Sequence, residues 1–169
     1  RTGDAWGWPL MLKARRDGYD GRGNVVVRDA AGAGAACAQL GWPERTVFVE
    51  AYVRFERELA CLVVRGQHGQ VAQYPLVETR QDETLHICRE VLAPAEVAGG
   101  LSQTAMAVAR RAVEAVDGIG AFGVELFLLT DGEIAINELA PRPHNSAHYT
   151  IEACWSSQFD NHVRAVLGL

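Results

Sequence analysis

The chain has 169 residues, 49% hydrophobic and 22% charged, a composition that excludes a disordered or fibrous protein. Its 16 basic and 21 acidic residues leave a net charge of -5, which offers nucleic acid no electrostatic footprint, and no apolar run approaches the ~18 residues of a membrane span. The four cysteines, Cys37, Cys61, Cys88 and Cys154, lie far apart with no C-x-x-C pair, which argues against a zinc knuckle or disulfide scaffold and fits a reducing cytoplasm.

The opening "RTGDAWGWP" has no signal-peptide layout, and with an end that stops near a helix the chain reads as a fragment. "PLMLKA" (Pro9 to Ala14) and "NVVVRD" (Asn24 to Asp29) predict strands flanking the glycine-marked loop "RRDGYDGRG". Alanine-rich Ala30 to Leu40 predicts a short helix, and "TVFVEAYV" (Thr46 to Val53) a returning strand. These make a small first lobe over 1–53, with a larger lobe over 54–169. In the larger lobe, strands are expected over Glu56 to Arg65 and Gln70 to Thr79, joined at "GQHG", and another in "TLHICREVLAP". Leu101, Ala105, Val108, Ala112 and Val116 recur at helical spacing and predict one packed face. Ser157 and Asp160 form an S-x-x-D cap ahead of a last helix whose apolar stripe is Phe159, Val163, Val166 and Leu167. Trp6, Trp8, Trp42 and Trp155 read as packing residues, and the fold class as α+β.

Between the two helices, "FGVELFLLT" and "EIAINEL" are separated by Asp131-Gly132, a two-residue hairpin signal. Pairing outward from Thr130 and Glu133 sets Glu125 opposite Glu138. Like charges directly opposed across a strand pair are destabilising, so something positive belongs between them. A hard divalent cation shared with substrate phosphates, such as magnesium, or a neutralising lysine or arginine would serve. In "KARRDGYDGRGN", Gly18, Gly21 and Gly23 let backbone N–H groups approach a phosphate, and Lys13 adds a point charge. The alternative is a flexible hairpin tip. Glu78, His86 and Arg89 are further candidates to line a cleft.

"YDGRGN", "ERELACLVVR", "YPLVET", "GVELF" and "NELAPRPHNSAHYTIEACWSSQF" resemble the ATP-grasp region of the ATP-dependent carboxyaminoimidazole ribonucleotide synthetases of purine biosynthesis, from Pro9 to Leu169. The resemblance implies an ATP-grasp fold, two α/β lobes with mostly antiparallel sheets and the nucleotide between them. It implies a carbon–nitrogen ligase that uses ATP and magnesium to activate bicarbonate as carboxyphosphate and carboxylates the amine of aminoimidazole ribonucleotide. It assigns adenine to Glu50, Ala51, Tyr52 and Val53, ribose to Glu58, and the phosphates to Lys13. The loop Tyr19, Asp20, Gly21, Arg22 and Gly23 would close over them, excluding water from carboxyphosphate. Glu125 and Glu138 would hold magnesium, with Asn137 beside them. Most family members read Gly where this chain has Ala147, and family members carry flanking amino- and carboxy-terminal domains, so the isolated piece is expected to be inactive. The full-length enzyme has room for a homodimer.

The prolines of "APRPH" stiffen the path beyond Glu138, so Glu138, Arg142 and His144 are expected on one side. Arg142 can offer a planar fork to bicarbonate or a phosphoryl oxygen, and His144 can orient or deprotonate a reacting group. Asn145, Ser146 and His148 supply donors for the ribotide. The alternatives are another carboxylate or formate ligase of purine synthesis, and a nucleotide-binding module without catalysis.

Overall fold

A computed structural model describes residues 2–18, 23–82 and 87–169, so Tyr19, Asp20, Gly21, Arg22 and His86 lie outside the described residues. The chain divides into two compact units, Arg1–Arg54 with Asp82–Ile87, and Phe55–Gln81 with Cys88–Leu169.

The first unit contains α1 (Thr2–Trp6), β1 (Leu10–Ala14), β2 (Asn24–Val27), α2 (Ala33–Gln39) and β3 (Val47–Ala51). Its antiparallel sheet has the order β2-β1-β3. Side chains alternate across a strand, so Leu12 turns to one face, where Val27, Ala36 and Leu40 complete a small core with Val25, Val47 and Val49. Met11 and Lys13 turn to the other face, Met11 opposite Glu50.

The second unit contains β4 (Phe55–Arg65), β5 (Val71–Gln73), β6 (Val77–Gln81), β7 (Cys88–Leu92), α3 (Leu101–Ala115), β8 (Gly120–Leu129), β9 (Ile134–Ala140), a 3-10 turn (Asn145–Ala147), α4 (Thr150–Ala153) and α5 (Gln158–Leu167). The sheet runs β7-β6-β4-β8-β9, with β5 also on β4, and its pairs are antiparallel. Central β4 is buried without interruption from Leu59 to Val64 because both faces are covered. Leu59, Cys61, Val63, Val124, Leu126 and Leu128 pack with Ala105, Ala109 and Val113 of α3. Leu62, Val64 and Ala121 pack on the opposite face with Tyr74, Ala147 and Ala165. Burying a leucine such as Leu59 or Leu126 contributes about 1.5–3 kcal/mol relative to exposure.

The α+β class and the antiparallel sheets agree with the sequence reading, while four details differ. The strand expected over Gln70 to Thr79 is interrupted at Tyr74-Pro75-Leu76, where proline has no N–H to give the ladder. The face of α3 is phased on Ala105, Ala109 and Val113, which leaves Val116 exposed beyond the helix. The stripe Phe159, Val163, Val166 and Leu167 is exposed, and α5 buries Gln158 and Ala165 instead. All four tryptophans are exposed, Trp155 completely. The expected cap is present: Ser157 Oγ accepts from the Asp160 N–H at 3.2 Å, and the Asp160 carboxylate accepts from the Ser157 N–H at 3.0 Å. Ala147 has no left-handed φ, and its methyl group lies in an apolar cluster, so alanine is accommodated there. All four cysteines are free thiols, and among the described residues no helix is long and apolar enough to cross a membrane.

Candidate functional site

Glu125 of β8 stands opposite Glu138 of β9, but the connection is not the two-residue turn the sequence suggests. Leu129 N–H donates to the Glu133 carbonyl at 2.9 Å and Gly132 N–H to the Leu129 carbonyl at 3.0 Å, so the loop is Thr130-Asp131-Gly132. Gly132 has φ +85, the left-handed residue such a loop requires. This shifts the pairing by one residue, to Leu126 opposite Ile136, and a bulge between Glu125 and Leu126 shifts it back. Asn137 is the extra residue. Bulges re-aim side chains, and Asn137 Nδ2 donates to Glu125 Oε2 at 3.0 Å.

Glu125, Glu138 and His144 each present a ligand-type atom within 4.8 Å of the others. Burial pushes the Glu125 carboxyl up from the ordinary 4.5 to about 7, with Glu138 and then Glu58 adding repulsion; Asn137 and Arg142 pull it back down. The carboxylate oxygens suit a hard divalent cation that takes oxygen ligands. The imidazole suits a supporting role. Ser146 N–H donates to Asn145 Oδ1 at 2.8 Å and lies 3.4 Å from His144 Nδ1, while His144 Nε2 lies 3.4 Å from Glu125 Oε1. Each oxygen of Glu125 therefore has a nitrogen beside it, Asn137 Nδ2 at one and His144 Nε2 at the other.

His144, which the stiff-strand reading places on one side with Glu138 and Arg142, lies beside Glu125 and Glu138 but is buried. It is 5% exposed, whereas Arg142 and Glu138 are exposed. Two long-range features turn it inward. Its main-chain N–H and carbonyl are both hydrogen-bonded by the Gln158 amide, and its ring lies over Gly123. A Cβ on Gly123 would stand 2.5 Å from His144 Cγ, so Gly123→Ala should displace the ring and cost about 1–3 kcal/mol. Chemical denaturation with histidine NMR checks this; unchanged stability and an unmoved ring would refute it. Ser146 is likewise buried, its Oγ 2.9 Å from His144 Nδ1. Asn145 and His148 are exposed, the latter stacked on Phe159 with ring centroids 5.9 Å apart.

Register places Glu58 on the Glu125 face of the sheet, because Glu58 pairs with Phe127 and Ala60 with Glu125. Glu58 accepts from Gln81 Nε2 at 2.7 Å. On the same face Phe55 and Phe127 stack in parallel at 4.2 Å, an aromatic ledge beside the carboxylates that the sequence reading missed. The only local signal for it was the two-residue spacing of Phe127 from Glu125. Glu78 belongs to the opposite face, opposite Leu59, where it pairs with Arg57 at 3.2 Å and Arg80 at 3.2 Å. In the first unit, Lys13 Nζ makes an ion pair with Glu50 at 2.7 Å; Ala51, Tyr52 and Val53 are exposed, and Gly23 has φ +96.

The ATP-grasp domain family matches residues 1–159 of the chain. A phosphoribosylaminoimidazole carboxylase from Ogataea methanolica is 48% identical over 168 residues, 99% of this chain and 30% of that protein. The carboxyaminoimidazole ribonucleotide synthase from Aspergillus clavatus complexed with ATP superimposes with a TM-score of 0.92 at 46% identity, covering 99% of this chain and 43% of that one. The Aspergillus clavatus synthase in complex with ADP and 5-aminoimidazole ribonucleotide gives a TM-score of 0.89 at 44% identity, with 99% and 43% covered. The chain thus spans less than half the length of these relatives.

Proposed function

The chain belongs to the ATP-grasp family, and from that membership we propose that it is the ATP-grasp part of a ligase that carboxylates the amine of aminoimidazole ribonucleotide with ATP and bicarbonate. The observation that carries the reading is the opposed pair of Glu125 and Glu138 on one sheet face, with Asn137 Nδ2 donating to one oxygen of Glu125 and His144 Nε2 3.4 Å from the other. The relatives' solved complexes with ATP, and with ADP and 5-aminoimidazole ribonucleotide, support the substrate class.

In this reading Glu125 and Glu138 hold Mg2+ together with phosphate oxygens and water. When bound, the ion neutralises charge on the phosphates during transfer. Glu58, steadied by Gln81, accepts from a ribose hydroxyl, and Phe127 with Phe55 offers an apolar ledge to the nucleobase. The resemblance gives Lys13 to the phosphates and Glu50 to Val53 to the adenine. A bicarbonate oxygen takes the γ-phosphoryl group and ADP leaves. The amine then attacks the carboxyl carbon of carboxyphosphate, forming the N–C bond as the C–O bond to phosphate breaks, and the amine proton passes to the departing phosphate. Arg142 with its planar fork orients the carboxylate or phosphoryl oxygens, and Asn145 and His148 contact the ribotide.

The test follows ADP release by the complete polypeptide. Release is expected to need bicarbonate and Mg2+, to rise with aminoimidazole ribonucleotide, and to ignore formate. Formate-dependent release would favour the other purine ligase, and ATP binding without any release would favour a binding module.

A further inference from the structure

Gln158, the first residue of α5, is 0% exposed, a burial that a polar side chain tolerates only when its hydrogen bonds are made. Its Oε1 accepts from the His144 main-chain N–H at 2.8 Å, and its Nε2 donates to the His144 carbonyl at 2.9 Å. The same nitrogen lies 3.5 Å from His148 Nδ1. Behind it stands Thr150, also 0% exposed, whose Oγ1 accepts from the Gln158 main-chain N–H at 3.0 Å and donates to the Ala147 carbonyl at 2.6 Å. One amide therefore hydrogen-bonds both main-chain polar groups of His144, whose carbonyl also accepts from the Ala147 N–H at 3.0 Å. The imidazole keeps only its own side-chain rotations, and those are confined by Gly123 beneath the ring and Ser146 at Nδ1.

We propose that Gln158, backed by Thr150, is a positioning residue for the carboxylate pair: by clamping the His144 main chain it aims Nε2–H at Glu125 and presets Glu125 and Glu138 for a divalent cation. This rests on the reading of those two carboxylates as the magnesium ligands. Partners that orient a ligand through a second residue typically change metal affinity by about 10- to 100-fold when lost. A residue that only stapled α5 to the preceding loop would lower stability and leave metal affinity alone.

The test uses the complete polypeptide, with Mn2+ as the probe in titrations followed by the electron paramagnetic resonance of the free ion. Gln158→Met keeps the side-chain volume and removes both bonds to His144. It should weaken Mn2+ binding about tenfold, and adding His144→Leu should weaken it no further, because Gln158 acts through His144. Long-range nitrogen–proton NMR should show the Nε2–H tautomer of His144 in the parent and its loss in Gln158→Met. Thr150→Val should shift both readouts the same way by less, and it carries the test alone if Gln158→Met does not fold. Unchanged Mn2+ affinity in the Gln158 and Thr150 variants, with Glu138→Gln weakening it, would overturn the positioning role while keeping the metal reading. Equal affinity in Glu138→Gln would remove the metal reading itself, and the proposal with it. Additive losses in the double variant would return Gln158 to a structural staple.

Discussion

Glu125→Gln in the complete polypeptide is expected to lower bicarbonate-dependent ADP release by about a hundredfold or more, the scale on which removal of one preorganised charge-stabilising group acts. Two properties make Glu125 the more sensitive of the pair. It is the more buried, and Asn137 Nδ2 donates to one of its oxygens at 3.0 Å while His144 Nε2 lies 3.4 Å from the other. Its titration adds a signature that a steric change would not produce. Burial, then Glu138 and Glu58, push the metal-free carboxyl up to about 7. A cation must displace that proton, so apparent Mg2+ affinity should rise about tenfold per pH unit below about 7 and level off above it. Stability of the metal-free protein should move the other way. A folded-state value raised above the ordinary 4.5 means the folded state keeps a proton the unfolded chain has released. The associated stability is therefore complete below that ordinary value and is lost as pH rises through about 7. Glu125→Gln should flatten both profiles. Calorimetric Mg2+ titrations and denaturant melts between pH 5 and 8 would decide, and a parent affinity independent of pH would contradict the assignment.

The carboxylate pair was legible in the sequence for a reason that includes a cancellation. Counting outward from Asp131-Gly132 pairs Glu125 with Glu138, and so does the structure, but only because a longer loop and a bulge at Asn137 displace the register by one residue each, in opposite senses. β4 and β8 were readable as near-continuous apolar runs, the pattern of strands covered on both faces. His144 was not readable. The local pattern, prolines around an arginine, points outward, and the contact that reverses it comes from Gln158, 14 residues further along. The last helix fails in a related way. Its apolar stripe is exposed, while its packing is made by Gln158, Ala165 and His162, whose Nδ1 accepts the Ala121 N–H at 3.0 Å. Small and hydrogen-bonded side chains carry no hydrophobic period, so a search for one selects the wrong face.

Arg142 separates carboxyl transfer from nucleotide binding, and Arg142→Ala should lower carboxylation of aminoimidazole ribonucleotide by about a hundredfold while leaving ATP affinity nearly intact. The side chain is exposed just beyond β9, and it spends one N–H on the Pro143 carbonyl at 3.0 Å. Its charge also draws the Glu125 carboxyl downward, which puts it within electrostatic reach of the metal pair. A guanidinium there can address two oxygens of a bicarbonate or carboxyphosphate at once. One ammonium cannot reproduce that fork, so Arg142→Lys should recover little of the lost rate. His144→Ala should behave differently from the substrate-facing role its place in "PRPH" suggests: being buried against Glu125, it should weaken Mg2+ and ATP binding along with the rate. Direct ATP binding, Mg2+ titration and product formation measured on all three variants distinguish these roles. Loss of ATP affinity in step with activity for Arg142→Ala would move Arg142 into the nucleotide site, and full activity would make it a surface strap that satisfies Pro143 and nothing more.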